Sequence, residues 1–217
     1  MKVALSSVSV VRLIQLGIDT INYQSARFIL SAENIGQLPQ QSGREVAFVG
    51  RSNAGKSSAL NSLTNQKKLA KTSKLPGRTR LINLFQVAEH SYLVDLPGYG
   101  YAQVPDSVKQ KWQHSLSDYL WQRRQLQGLV LLMDCRHPLK ILDQQLIRWT
   151  AEHSLPLLIV LTKKDKLTHS AYKQQELKVQ QSLQCYPGKI DVLGFSATKR
   201  WGIEALQQKL TLWLMGS

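Results

Sequence analysis

The chain is poor in acidic residues, in cysteine and in long apolar runs. Of its 217 residues, 14 are Asp or Glu against 28 Lys or Arg, giving a formal charge of +14 and a pI near 9.9. Such an excess favours encounter with a polyanion, although charge alone does not separate RNA from DNA or acidic lipid. The two cysteines, Cys135 and Cys185, form no short metal-ligand spacing and no disulfide framework. They read as reduced thiols of a cytosolic protein, with Cys135 packed at the end of an apolar run. The five histidines show no i,i+4 pair and no H-E-x-x-H pattern, which argues against a metal-histidine site. No run reaches membrane-spanning length, so no stable membrane insertion is expected and the localisation reads as cytoplasmic. Residues 1–21 hold only small apolar runs and no clear cleavage site. They are expected to form an N-terminal extension, mobile or loosely packed, ahead of a single domain over 22–217.

What is present is an alternation of short apolar runs with helix-period segments. Strands are expected at 45–49, 81–87, 91–95, 129–133, 157–161 and 190–195, the second and third joined as a hairpin by Ala88-Glu89-His90. Helices are expected at 57–63, 108–127, 142–153, 171–184 and 203–214. The segment 108–127 places Trp112, Leu116, Tyr119 and Leu120 on one face and Lys109, Lys111, Arg123 and Arg124 mostly elsewhere. This order predicts a three-layer α/β domain with a mostly parallel six-stranded sheet containing one antiparallel strand. Ligands of such sheets bind at the carboxyl ends of the strands, where the motifs below fall.

Gly50-Arg51-Ser52-Asn53-Ala54-Gly55-Lys56-Ser57 matches G-x-x-x-x-G-K-[ST] between an apolar run and a helix. The glycines let the backbone curl its N–H groups onto phosphate oxygens, and the following helix adds its positive end. Lys56 supplies a charge to the β- and γ-phosphates, and the Ser57 hydroxyl is placed for Mg²⁺. Asp95-Leu96-Pro97-Gly98 follows a strand-like run. Its Asp can hold the metal through water, and its Gly can turn an N–H toward a γ-phosphate.

The base is read by Thr162-Lys163-Lys164-Asp165 after the run 157–161. A carboxylate there accepts two hydrogen bonds from the N1–H and N2–H₂ edge of guanine. Adenine lacks that donor pair and would leave the carboxylate unpaired. The Lys163 stem can cover the base face. Phe195-Ser196-Ala197 ends the last strand, where backbone N–H groups could meet the guanine O6.

These motifs, with Pro76-Gly77-Arg78-Thr79 and Asp134 followed by Arg136-His137-Pro138-Leu139, resemble the EngB (YihA/YsxC) family. That family comprises bacterial ribosome-assembly GTPases of the translation-factor class, with a P-loop NTPase (Ras-like G domain) fold. Asp95-Leu96-Pro97-Gly98-Tyr99-Gly100 is more specific than a generic GTPase motif, and the likeness covers about 22–214. It implies that Thr79 is the switch I threonine completing the Mg²⁺ shell, within a nucleotide-contacting stretch Gly77, Arg78, Thr79, Arg80 and Leu81. From the residues alone, 74–80 is only a basic loop. The resemblance also implies GTP and GDP as ligands, the large ribosomal subunit precursor and its rRNA as partners, and a role in cell division and septation. Thr162 departs from the broader GTPase pattern, which has Asn there, and Lys164 adds a cation beside the base.

Tyr99 stands where Ras-type enzymes carry the Gln that orients water, and it cannot act in that way. Slow intrinsic turnover is therefore expected, raised by a partner or by K⁺. Asn53 has two readings: it binds K⁺ beside the phosphates, as in some related GTPases, or it caps the turn locally. The catalytic residue is unassigned, with Lys56, Thr79 and Asn53 (through K⁺) as candidates. The switch is expected over the Thr79 segment and Asp95 to Tyr101, with Tyr99, Gly100 and Tyr101 as a flexible aromatic tip. The alternative to a GTPase switch is a nucleotide-gated rRNA-binding module in which hydrolysis is incidental.

Overall fold

Alternation along the strands sorts the side chains into two cores, one on each side of a sheet. In the computed structural model, which describes residues 20–40, 43–70, 81–99, 116–188 and 190–216, β2 (Arg44–Gly50) shows this directly. Ala47 and Val49 enter a first core, while Val46 and Phe48 enter a second, as the two-residue side-chain period requires. The strands are β1 (Arg27–Ala32), β2, β3 (Ile82–Ala88), β4 (Ser91–Asp95), β5 (Leu126–Asp134), β6 (Leu157–Thr162) and β7 (Ile190–Gly194). They form one seven-stranded sheet in the order β1-β3-β4-β2-β5-β6-β7. Only β3 runs against its neighbours β1 and β4; the pairs β2–β4, β2–β5, β5–β6 and β6–β7 are parallel.

The helices are α1 (Lys56–Leu63), α2 (residues 116–122), α3 (Ile141–Glu152), α4 (His169–Leu183) and α5 (Ile203–Met215). One face of the sheet is covered by Tyr119 of α2, Leu146 and Ile147 of α3, and Tyr172, Val179 and Leu183 of α4. The other is covered by Ala59, Leu60 and Leu63 of α1 and by Ile203, Leu206, Leu210 and Leu214 of α5. With both faces covered, every residue of β6 is buried, which is why it reads as a continuous apolar run. Cys135 sits in the first core, where burial pushes its thiol up to about 11.

The architecture is the expected three-layer α/β arrangement, with two corrections. Among the described residues the sheet has seven strands rather than six. The addition is β1, an edge strand whose mostly exposed pattern and register shift between Phe28 and Leu30 give no clean apolar alternation. The helix expected over 108–127 ends at 122, and residues 108–115 lie outside the described residues. Leu126 already pairs with Glu45 as β5 joins β2, so the chain must leave the helix before it. Arg123, expected on a polar face, is buried instead. Of the expected extension, residues 1–19 lie outside the described residues, whereas Ile21 packs against the second core. Asn22 caps the turn Tyr23–Ser25, and the Tyr23 hydroxyl bonds Thr211 Oγ1 at 3.1 Å.

Candidate functional site

Strand order reverses around β2, which has β4 on one side and β5 on the other. The loops at the carboxyl ends of these strands converge there, at the place where open α/β sheets bind ligands. β2 ends at Gly50, where a Cβ would lie 2.6 Å from the Leu132 carbonyl oxygen. That contact is with backbone, so only glycine lets β2 and β5 approach so closely. The Ala54 N–H then closes a turn onto the Arg51 carbonyl at 2.9 Å. Asn53 (φ 64) and Gly55 (φ 92) are left-handed, a conformation that Asn tolerates and Gly adopts freely. Gly55 caps α1, so Lys56 and Ser57 occupy its first turn.

Lys56 and Asp95 form an ion pair with both side chains almost wholly buried. Asp95 ends β4, beside Phe48 of β2 and Asn83 of β3. The ammonium and carboxylate that the sequence assigns to phosphate and metal thus meet at one point. Beyond Asp95 the chain follows the phosphate loop: the Leu96 N–H reaches the Phe48 carbonyl at 3.0 Å and the Tyr99 N–H the Gly50 carbonyl at 3.2 Å. The Ser52 N–H returns to the Tyr99 carbonyl at 2.7 Å. Leu96, Pro97, Gly98 and Tyr99 are all buried.

The expectation of a flexible aromatic tip is corrected at Tyr99, which is only 2 % exposed. Its hydroxyl donates to Asp143 Oδ1 at 2.5 Å. Burial and the neighbouring carboxylate hold the phenol far above its ordinary range, so it remains a donor. Burial likewise raises the Asp143 carboxyl, against the bonds it accepts from Tyr99 and Lys140 and the field of Arg51. Gly100 and Tyr101 lie outside the described residues, as do Gly77, Arg78, Thr79 and Arg80; Leu81 is half-buried at the approach to β3.

The residues expected to read the base are tied to the phosphate loop. Thr162, 3 % exposed, has its hydroxyl 2.5 Å from the Ala54 carbonyl and 3.1 Å from that of Met133. A threonine where many GTPases carry asparagine therefore still reaches the loop. Lys163 (φ 57) donates to the Asn53 carbonyl at 2.7 Å and to Asp134 Oδ2 at 2.9 Å. Arg136 grips the same Asp134 through Nε at 2.9 Å and Nη2 at 2.6 Å. Burial opposes ionisation of Asp134, but the bonds from Arg136 and Lys163 outweigh it and hold the carboxyl well below its usual range. Asp165 accepts the Ser196 hydroxyl at 2.6 Å, the main cause of its lowered pKa, and Lys166 stands 3.5 Å from its other oxygen. The Lys164 N–H meets the Phe195 carbonyl at 3.1 Å, joining the loops after β6 and β7. Phe195 is buried in the second core, with Ala197 packed against it.

Residues 50–57, 95–98, 162–165 and 195–197 thus share one end of the sheet, a frame held by bonds between loops. Asp143 escaped the sequence reading. Its one local signal is its place three residues after Lys140, whose N–H it accepts at 2.9 Å, a helix-start pattern.

A phosphate loop after the central strand of such a sheet defines a P-loop NTPase fold, and the comparisons narrow it to the GTPases. A family described as 50S ribosome-binding GTPase matches residues 45–163. The "Probable GTP-binding protein EngB" of Salmonella paratyphi C (strain RKS4594) is 56% identical over 193 residues, covering 89% of this chain and 92% of that one. Its counterpart from Escherichia coli O157:H7 (strain EC4115 / EHEC) matches with the same identity and coverage. Among solved structures, that of a probable GTP-binding protein engB superposes with a TM-score of 0.62 at 20% identity, covering 77% of this chain and 98% of that one. Translation elongation factor SelB from Methanococcus maripaludis, in complex with the GTP analogue GPPNHP, gives a TM-score of 0.58 at 14% identity, covering 83% and 36%. At these identities the structures speak for the fold alone. The chain belongs to the EngB family of GTP-binding proteins, within the GTPases.

Proposed function

We propose that this protein is a molecular switch that hydrolyses GTP to GDP and phosphate during assembly of the large ribosomal subunit. Through that role it supports normal cell division and septation, and it works in the cytoplasm. The observation that carries the nucleotide part is the double tie between base-reading and phosphate loops, Thr162 to Ala54 and Lys163 to Asn53. The ribosomal part is supported by the matched family's description and the +14 charge, suited to the phosphate backbone of rRNA.

In this reading residues 22–217 act as one G domain. Gly50 to Ser57 cradle the phosphates, with Lys56 leaving Asp95 for the β- and γ-phosphates. Gly98 offers its N–H to the γ-phosphate. Asp165, held ionised and oriented by Ser196, takes the guanine N1–H and N2–H₂, while Phe195 to Ala197 approach O6. Ser57, Thr79 and, through water, Asp95 would supply the hydroxyl and carboxylate oxygens for Mg²⁺. The Lys56–Asp95 contact places Asp95 beside the turn that carries Ser57, consistent with that set. Bound Mg²⁺ would neutralise charge on the β- and γ-oxygens. Thr79, with Gly77 to Leu81, would contact the nucleotide.

The Tyr99 hydroxyl is committed to Asp143, so it orients no water, and turnover is slow until a partner or K⁺ contributes. Asn53 already has a local reason for its identity in its left-handed backbone, so its use for K⁺ rests on turnover alone. Hydrolysis should be faster in KCl than in NaCl at equal ionic strength; equal rates remove K⁺ from the account. The switch is tested by sedimentation with large-subunit precursors. Co-sedimentation should be strong with a non-hydrolysable GTP analogue and weak with GDP, and indifference to the nucleotide would contradict it.

A further inference from the structure

Tyr99 joins three parts of the molecule that the phosphate site alone does not require to be joined. Its backbone is bonded on both sides to the phosphate loop, through Gly50 and Ser52. Its side chain crosses to the helix side and ends on Asp143 Oδ1. Asp143 Oδ2 meanwhile accepts the Lys140 N–H that starts α3. Asp143 is 1 % exposed, and Arg51 of the phosphate loop lies close enough to act on both Asp143 and Tyr99. Tyr99 also borders a groove of about 360 Å³ between α2 and α3, whose walls include Leu116, Leu120, Leu146 and Trp149. The residue after Gly98 is therefore held at both its backbone and its hydroxyl.

A buried carboxylate with two acceptor oxygens and two directed donors is a fixed point. Gly98 is one peptide away from the side chain anchored there, so the orientation of the Gly98 amide depends on where Tyr99 sits. GDP lacks the phosphate that this amide would meet. Interactions present in only one ligand state shift the balance between states, whereas those common to both do not.

We propose that the Tyr99–Asp143 bond is a positioning latch that aims the Gly98 amide at the terminal phosphate of GTP and so sets the preference for GTP over GDP. It rests on the reading that residues 50–57 and 95–98 hold the nucleotide. Tyr99→Phe keeps the ring in its buried seat and removes only the hydroxyl. Asp143→Ala removes the acceptor and the α3 cap together. Asp143→Asn can keep both contacts, with its oxygen on the Lys140 N–H and its amide donating to the Tyr99 oxygen.

The test is titration of the purified full chain with fluorescent GDP and with a fluorescent non-hydrolysable GTP analogue, alongside thermal melts. For Tyr99→Phe the analogue should weaken by about tenfold, within the usual range of coupling between sites, while GDP stays within about twofold. Asp143→Ala should weaken the analogue at least as much, and Asp143→Asn should recover most of the loss. Equal weakening of both nucleotides, or of neither, overturns the latch, as does Asp143→Asn behaving like Asp143→Ala. If Tyr99→Phe does not fold, the two Asp143 variants decide by the same ratio. If the unmodified protein binds neither nucleotide, the site reading fails and the latch falls with it, an outcome distinct from a normal wild type with an unshifted Tyr99→Phe.

Discussion

Guanine nucleotide binding by a Lys56→Ala variant is expected to fall by about 2–5 kcal/mol, a roughly thirtyfold or greater loss of affinity, the usual cost of truncating one partner of a buried charge pair. Lys56 is the positive charge at the head of α1, its side chain 10% exposed. The variant has a second effect. In the structure Lys56 neutralises Asp95, so its removal leaves a carboxylate buried beside the sheet without its cation, which is costly in itself. Melting without nucleotide should therefore drop as well. Lys56→Ala/Asp95→Asn should regain much of the melting temperature while binding stays poor. Calorimetric titration with GDP, paired with melts, separates the two effects. If the double variant binds as the unmodified protein does, Lys56 is not a phosphate ligand.

An Arg123→Ala variant is expected to lose about 3–5 kcal/mol of stability, the cost of breaking a buried ion pair by removing one partner. Arg123 is 6 % and Glu45 1 % exposed. The guanidinium reaches Glu45 through Nε at 2.9 Å and Nη2 at 2.5 Å, and Nη2 also reaches the Pro39 carbonyl at 2.8 Å. The Tyr119 hydroxyl donates to the same carboxylate at 2.7 Å. This network fastens the end of α2 to the start of β2, far along the strand from the phosphate loop. Its loss should lower the melting temperature by roughly 2–4 °C per kcal/mol in a chain of this size. Arg123→Met combined with Glu45→Gln should lose less than Arg123→Ala alone, because no charge is then left buried and the introduced amide oxygen can still accept from Tyr119. A single Arg123→Ala melt within a degree or two of the unmodified protein would contradict the assignment.

These two cases mark what could be read in the sequence. The phosphate cradle is written locally: two glycines, a lysine and a serine within eight positions, because curling backbone around phosphate requires them together. Asp95 and Asp165 are legible for the same reason, one ending an apolar strand and the other in the turn just after one. Thr162 is legible as a departure from the usual asparagine; its bond to Ala54 is not, since the partners are 108 residues apart. Tyr99 reads as a surface tip because its acceptor lies 44 residues along the chain. Arg123 reads as solvent-facing for a similar reason, its partner Glu45 being 78 residues away. A charged side chain in a helical pattern normally faces water, and only the fold reveals a buried counter-charge. β1 escapes notice because an exposed edge strand has no need of apolar alternation. The role given to Thr79 comes from resemblance alone, and the residue lies outside the described part of the structure.

The central claim is that the loops around Gly50 and Asp165 form a single guanine nucleotide site. Competition binding against labelled GDP, with GTP, ATP and XTP as competitors, tests it in one experiment on the unmodified protein and Asp165→Asn. The unmodified protein should be displaced by GTP and not by ATP at any comparable concentration, because adenine cannot pair with the Asp165 carboxylate. In Asp165→Asn the side-chain amide can donate to the C2 carbonyl of xanthine, so GTP should lose potency and XTP gain it. Displacement by ATP as readily as by GTP, or an unchanged order of competitors in Asp165→Asn, would contradict the account.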